Sequence, residues 1–290
     1  MEDGSPATAA VARVERPARA LLGWMAPDEA LLTLTGRRQD VTATREQEQR
    51  AEAARAAVAA RSAGFDQEGV EAPVPPELDA YTTALRGDAA AAQLLNSGWR
   101  VAMIDLARIV AAQPVIHTDH AEERTAGLDA EDIAALAAVS LPITAPPQLP
   151  VHFDPGQRSW VLSSANPNLR VISHAIGQTN GAPVIGFMVG LLPSFVRAAR
   201  YQGRYILVDG YHRSYGFLRR NIRAVPALVA DVAAFEQLAL PQAGMLPQDA
   251  YLGERPPVLA DYLDDTVAAD VSVPSTQKTI VIPALEVNAG

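Results

Sequence analysis

Apolar positions along this chain follow three successive rhythms. Over 42–61, TATREQEQRAEAARAAVAAR, alanines recur at helical spacing among Glu, Gln and Arg, which predicts a thinly packed or surface-lying helix. Pro73, Pro75 and Pro76 end that region. A further helix is expected over 77–96, carried by Leu78, Tyr81, Leu85, Leu94 and Leu95 and broken around Gly87. Residues 1–20 are small, polar and broken by proline, and read as a mobile arm. The first 97 residues are therefore expected to be a mostly helical lead-in with no chemistry in view.

The rhythm changes at Trp99. Alternation over 100–105 predicts a strand, and Gln113-Pro114 ends the following turn. HTDHAEER comes next, with His117, Asp119 and His120 as the densest cluster of potential metal ligands and 122–124 exposed. His-x-x-His suits neither one face of a strand nor the i, i+4 spacing of a helical zinc pair. LDAEDIAALAAV predicts a helix capped by Asp129, with Ile133, Leu136 and Ala137 as its apolar face. Strands are expected over 149–153 and 159–162 about the Asp154-Pro155-Gly156 turn. SSANPNLRVISHAIGQTNGAP reads as a loop rich in side-chain donors and acceptors (Ser163, Ser164, Asn166, Asn168), either a binding loop or a long connection. Residues 187–201 read as helical apart from Pro193, and 224–230 as a strand.

The third rhythm is the most informative. In RYILVDGYHRSYGFLRR, 204–220, the apolar run 205–208 predicts a buried strand that breaks at Asp209-Gly210 and becomes a helix at about Tyr211. Asp209 can cap the helix, and Gly210 frees backbone N–H groups to face a ligand. A helix N-terminus favours an anion, and His212 and Arg213 add donors in the same turn. One reading is a phosphate or carboxylate site; the other is a capped helix with solvated His and Arg. Beyond 232 the chain is rich in proline. Residues 280–282 are expected to form an edge strand or a partner-binding strand, the tail otherwise wrapping the core, and Asp261, Asp264 and Asp265 a solvated face.

Composition narrows the chemistry. At 290 residues and 49% apolar the chain can build one large or two small domains. With no cysteine, disulfides, thiolate zinc sites, cysteine nucleophiles and thiol redox chemistry are excluded. A net charge of −9 lowers the odds of a nucleic-acid partner. Lys278 is the only lysine and no GxxxxGK[ST] segment exists, so a P-loop is absent. No GxSxG elbow is present. With no spanning apolar run and no leader-like start, the chain is expected to be soluble and cytoplasmic.

Two separated segments resemble one superfamily. Residues 99–114 look like the opening of a ParB/sulfiredoxin-like domain, and LDAEDIAALAAV like its first helix. GRYILVDGYHRSYGFLRRNIRAVPALVAD resembles the phosphate-binding half, with strand, turn, helix and a strand bearing V-P-A in the same order. The resemblance covers about 99–232 and implies an α+β mixed-sheet domain at 98–232, between a helical region at 1–97 and a C-terminal extension at 233–290. It implies that Gly210, Tyr211, His212 and Arg213 touch nucleotide phosphates. Tyr211 stands where sulfiredoxins carry their catalytic cysteine, which excludes sulfinic acid reduction. Val115 stands where partition proteins usually have Arg, and no later helix-turn-helix is visible, so partition is disfavoured. The form with Asp209 is similar to kinase-like members, in which the Asp serves near metal and phosphates.

The resemblance thus implies a protein that binds a nucleoside tri- or diphosphate with Mg²⁺. As a phosphotransferase or nucleotide hydrolase it would use Asp209 at the metal and His117 or Glu122 as base. A non-catalytic nucleotide- or partner-binding module would instead use the N-terminal helices or C-terminal tail as protein surfaces. A ParB-like nuclease or DNA-binding protein is the third possibility, against which the acidity counts. No membrane partner is expected.

Overall fold

The computed structural model describes residues 14–64, 66–143, 149, 151–164, 168–240, 244–276 and 278–283. Its organising strand is β11 (Ala224–Asp231), whose six middle residues are all buried. A continuous apolar run of this kind suits a strand covered on both faces. β11 lies parallel to β9 (Arg197–Tyr201) and antiparallel to β3 (Arg100–Asp105), with Val229 opposite Ala198 and Val225 opposite Ile104. β10 (Arg204–Asp209) pairs outside β9, and the short β2 (Glu71–Ala72) outside β3, giving a five-stranded mixed sheet ordered β10-β9-β11-β3-β2. As expected, 205–208 and 224–229 belong to one sheet, although β9 separates them. The protein is an α+β fold.

A second sheet joins distant parts of the chain. β1 (Glu15–Ala20) lies between β4 (Val115–His117) and β12 (Ala269–Pro274), antiparallel to both. Small residues allow this: Ala18 and Ala20 are buried between their partners. Residues 15–20 are therefore a paired strand and not the mobile arm expected for 1–20; residues 1–13 lie outside those described.

The helices largely follow the pattern that predicts them. α1 (Pro27–Leu34) starts on its proline. α2 (Arg45–Ala59) is closed by a Thr44–Gln47 capping box. The helix expected over 77–96 is two, α3 (Asp79–Gly87) and α4 (Ala89–Asn96), because Asp88 turns out of the helix to cap the second. α5 (Thr118–Thr125) follows β4 without a loop, and α6 (Ile133–Ser140) is capped by Asp132, not Asp129. α7 (Tyr211–Arg219) follows β10, and α8 (Gln248–Leu252) is a single turn and a half late in the chain. Among the described residues no helix is long and apolar enough to cross a membrane.

Three expectations fail for identifiable reasons. The loop-like stretch at 163–183 and the helix-like stretch at 187–201 contain a long hairpin, β7 (Leu169–Thr179) and β8 (Ala182–Leu191), followed by β9. Asn180 and Gly181 both have positive φ, 53° and 80°, as a two-residue type I′ hairpin turn demands. The hairpin's side chains beyond Leu169 are largely exposed, so inward and outward positions carry no contrast that would reveal a strand. β5 (Val151–Asp154) and β6 (Ser159–Ser164) do form about the predicted turn, but in a separate sheet whose other edge is β13 (Lys278–Pro283). Asn166 lies outside the described residues. Asp261 is 6% exposed rather than solvated, pairing with Arg61 at 2.9 Å.

Candidate functional site

The β10–α7 junction is held from several sides. Gly210, at φ 94° and ψ 16°, takes a left-handed conformation, and a Cβ there would lie 2.9 Å from Val196 Cα. Both facts require glycine. Asp209 braces the turn: its Oδ1 accepts from Ser194 Oγ at 2.9 Å and from the Gly210 N–H at 2.7 Å, while Arg197 Nη2 approaches Oδ2 at 3.5 Å. Tyr211 is buried; its hydroxyl donates to Leu207 O at 2.6 Å and accepts from the N–H groups of Ala112 and Gln113. It thereby ties the 111–113 strap to α7, and burial raises its pKa. Arg213 is also buried, its Nη1 donating to Val139 O and Ser194 O and its Nη2 to Ser194 Oγ. Burial pulls its pKa down to about 10.

His212 alone of this turn's polar side chains points toward another histidine. His117, the last residue of β4, and His120, in the first turn of α5, meet it in a triangle with ring centroids 5.7–5.9 Å apart. The His117 and His212 planes lie within 3° of parallel, and His120 stands edge-on to both. Three of the chain's five histidines therefore converge, whereas His152 lies on β5 and His174 on β7. Close packing of α5 on α7 sets this geometry: a Cβ on Gly216 would stand 2.5 Å from Thr125 Oγ1 and 2.7 Å from Ala121 O.

Around the histidines lies a cleft of about 600 Å³, lined by Arg16, Arg37, Gln113 and Lys278 among others and, among the described residues, by no carboxylate. Arg16 comes from β1; its Nη1 meets His120 Nε2, and its Nε donates to Asp119 Oδ2 at 2.8 Å. Arg37 shares its charge with Glu29 at 2.6 Å. Burial lowers the pKa of all three histidines, aided at His117 by His120, at His120 by Arg16 and at His212 by His117. His212 falls to about 3. Neutral rings result, each with a nitrogen lone pair and one N–H. His117 Nδ1 and His212 Nε2 are buried with no hydrogen-bond partner among the described residues. Such atoms are costly unless something binds them.

The residues expected from sequence thus divide among different surroundings. His117 and His212 meet in the cleft. Glu122 points away from it and pairs with Arg220. Asp209 and Arg213 meet through Ser194, and Tyr211 and Gly210 hold the backbone. His120 had shown only as part of an ill-spaced cluster. Arg16, Arg37, Gln113 and Lys278 carried no local signal, because strand pairing and chain crossing bring them together. Among the described residues no group of three or more His, Asp or Glu is set to hold a metal ion. Fold and cleft define the class: an α+β protein with a basic, histidine-lined cleft at a strand–turn–helix junction. Comparison with protein-family models, with curated proteins and with solved structures found no match to this chain.

Proposed function

We propose that the histidine cleft binds the phosphate of a small molecule, a nucleotide in the first instance, in a ParB-like domain. One observation carries the reading: a protein of net charge −9 places Arg16, Arg37, Lys278 and three histidines around a cleft that, among the described residues, no carboxylate lines. Such a surface selects anions, and guanidinium with imidazole N–H donors matches phosphate oxygens. A neutral imidazole beside a bound phosphate ester can act as a general base, which makes His117 the group that supports hydrolysis or transfer; His212, with its pKa at about 3, is too weak a base and serves to position the ligand. Asp209, already bonded to Ser194, the Gly210 N–H and Arg197, fits a brace better than a magnesium ligand.

Titration with ATP, ADP, CTP, GTP and inorganic phosphate, with and without Mg²⁺, tests the reading by calorimetry. At least one nucleotide should bind, and Arg16→Ala should weaken it about tenfold or more, as expected for one charge-assisted contact. Binding without turnover of the nucleotide would make the protein a non-catalytic module. Unchanged affinity in Arg16→Ala would remove the cleft from consideration.

A further inference from the structure

A second cavity, about 570 Å³ in volume, is lined by Arg213 of α7 and shares no lining residue with the histidine cleft. Its walls are mainly apolar, with Val139, Leu191, Leu192 and Pro193 prominent, yet Arg213 and Arg124 both line it. Arg213 is only 4% exposed. Among the described residues its three hydrogen bonds all go to neutral oxygens, and its Nε is buried without a partner. Asp209 reaches it only through the Ser194 hydroxyl, which donates to the carboxylate while accepting from Arg213 Nη2. The carboxylate that lines the cavity, Asp88, is taken up in capping α4, accepting from Ala90 N and Ala91 N. A buried cation ordinarily has an anion in contact. Among the described residues no carboxylate touches Arg213 directly, and the exposed guanidinium of Arg124 stands at the same cavity.

We propose that this cavity binds a small apolar monoanion, a carboxylate on an aliphatic or aromatic body, with its charge at Arg213 and Arg124. The apolar walls take the body, and placing one negative charge between the guanidiniums offsets their mutual repulsion. A phosphate dianion fits less well, because desolvating its second charge in an apolar chamber is costly. The ligand class therefore differs from that of the histidine cleft, and the site stands whether or not that cleft binds a nucleotide.

Decanoate serves as the probe, titrated into the full chain by calorimetry, with 1-decanol and inorganic phosphate as controls for body and charge. Decanoate should bind at least about tenfold more tightly than either control, the difference expected from one charge-assisted contact. Arg124→Ala should weaken decanoate about tenfold without changing the far-ultraviolet circular dichroism. Ala138→Trp, at an exposed position on the cavity's rim, should abolish binding by filling the chamber. Equal affinity for decanoate and decanol, no decanoate binding, or binding unaffected by Ala138→Trp would each overturn the proposal. Displacement of decanoate by ATP would also overturn it, by making the chamber part of the nucleotide site.

Discussion

Asp209 and His212 stand three residues apart and do opposite work. Asp209 holds the turn, so Asp209→Asn keeps two of its acceptor contacts and weakens only the partly buried 3.5 Å pairing with Arg197. The expected cost is about 1 kcal/mol by chemical denaturation, with nucleotide affinity within a few-fold of the parent. Lost turnover with intact affinity would return Asp209 to the reaction. His212 is kept neutral by burial, so the unfolded chain takes up its proton at higher pH than the native one. Its contribution is complete above about pH 6.5 and is lost as pH falls from there toward about 3. Lowering the pH from 7 to 5 should cost roughly 2 kcal/mol through this residue. His117 and His120 act in the same direction. The slope of stability against pH should flatten in His212→Asn, and an unchanged slope would show that the ring titrates alike in the folded and unfolded chain.

At the scale of elements, α5 and α7 form the hinge of the site, because Gly216 lets them touch. Gly216→Ala should cost about 1–3 kcal/mol by overpacking against Thr125 and Ala121, and should weaken nucleotide binding by spreading His212 from His117 and His120. Stability and affinity are measured on the same variant; loss of the first alone would uncouple packing from the site. The β7–β8 hairpin is expected to behave in the contrary way. Gly181→Val, at φ 80°, should melt its outer part while leaving the main unfolding transition within about 1 kcal/mol, which hydrogen exchange resolves region by region. The junction at 204–220 was legible in the sequence because its strand, turn and helix signals are all local. The hairpin was not, since its apolar residues are exposed and alternate with nothing, although Asn180-Gly181 was the available clue.

Over the whole molecule, what the sequence concealed is pairing between distant segments. Arg16 meets Asp119 across 103 residues, and no local pattern marks it as part of the cleft. Nor could spacing within HTDH show that His117 and His120 converge on a third ring from α7. The α+β class and the shared sheet of 205–208 and 224–229 were readable, because strand and helix periodicities differ. Deleting residues 1–20 should therefore do more than remove a tail. It strips β4 and β12 of their common partner and takes Arg16 out of the cleft. We expect a loss of several kcal/mol in stability, read as an early thermal transition, together with lost nucleotide binding.

The central place of β1 also sets an order in time. Ala20 is made early, but its partners Val115 and Ala269 follow about 100 and 250 residues later. At roughly 5–20 residues per second of synthesis, β1 waits on the order of 10–50 s before its second edge is covered. Throughout that interval a strand with unpaired N–H and C=O groups is open to the wrong neighbour. Arg16 rides on that strand and Lys278 lies beyond its last partner, so the nascent protein cannot complete its cleft until residues 269–278 have been translated.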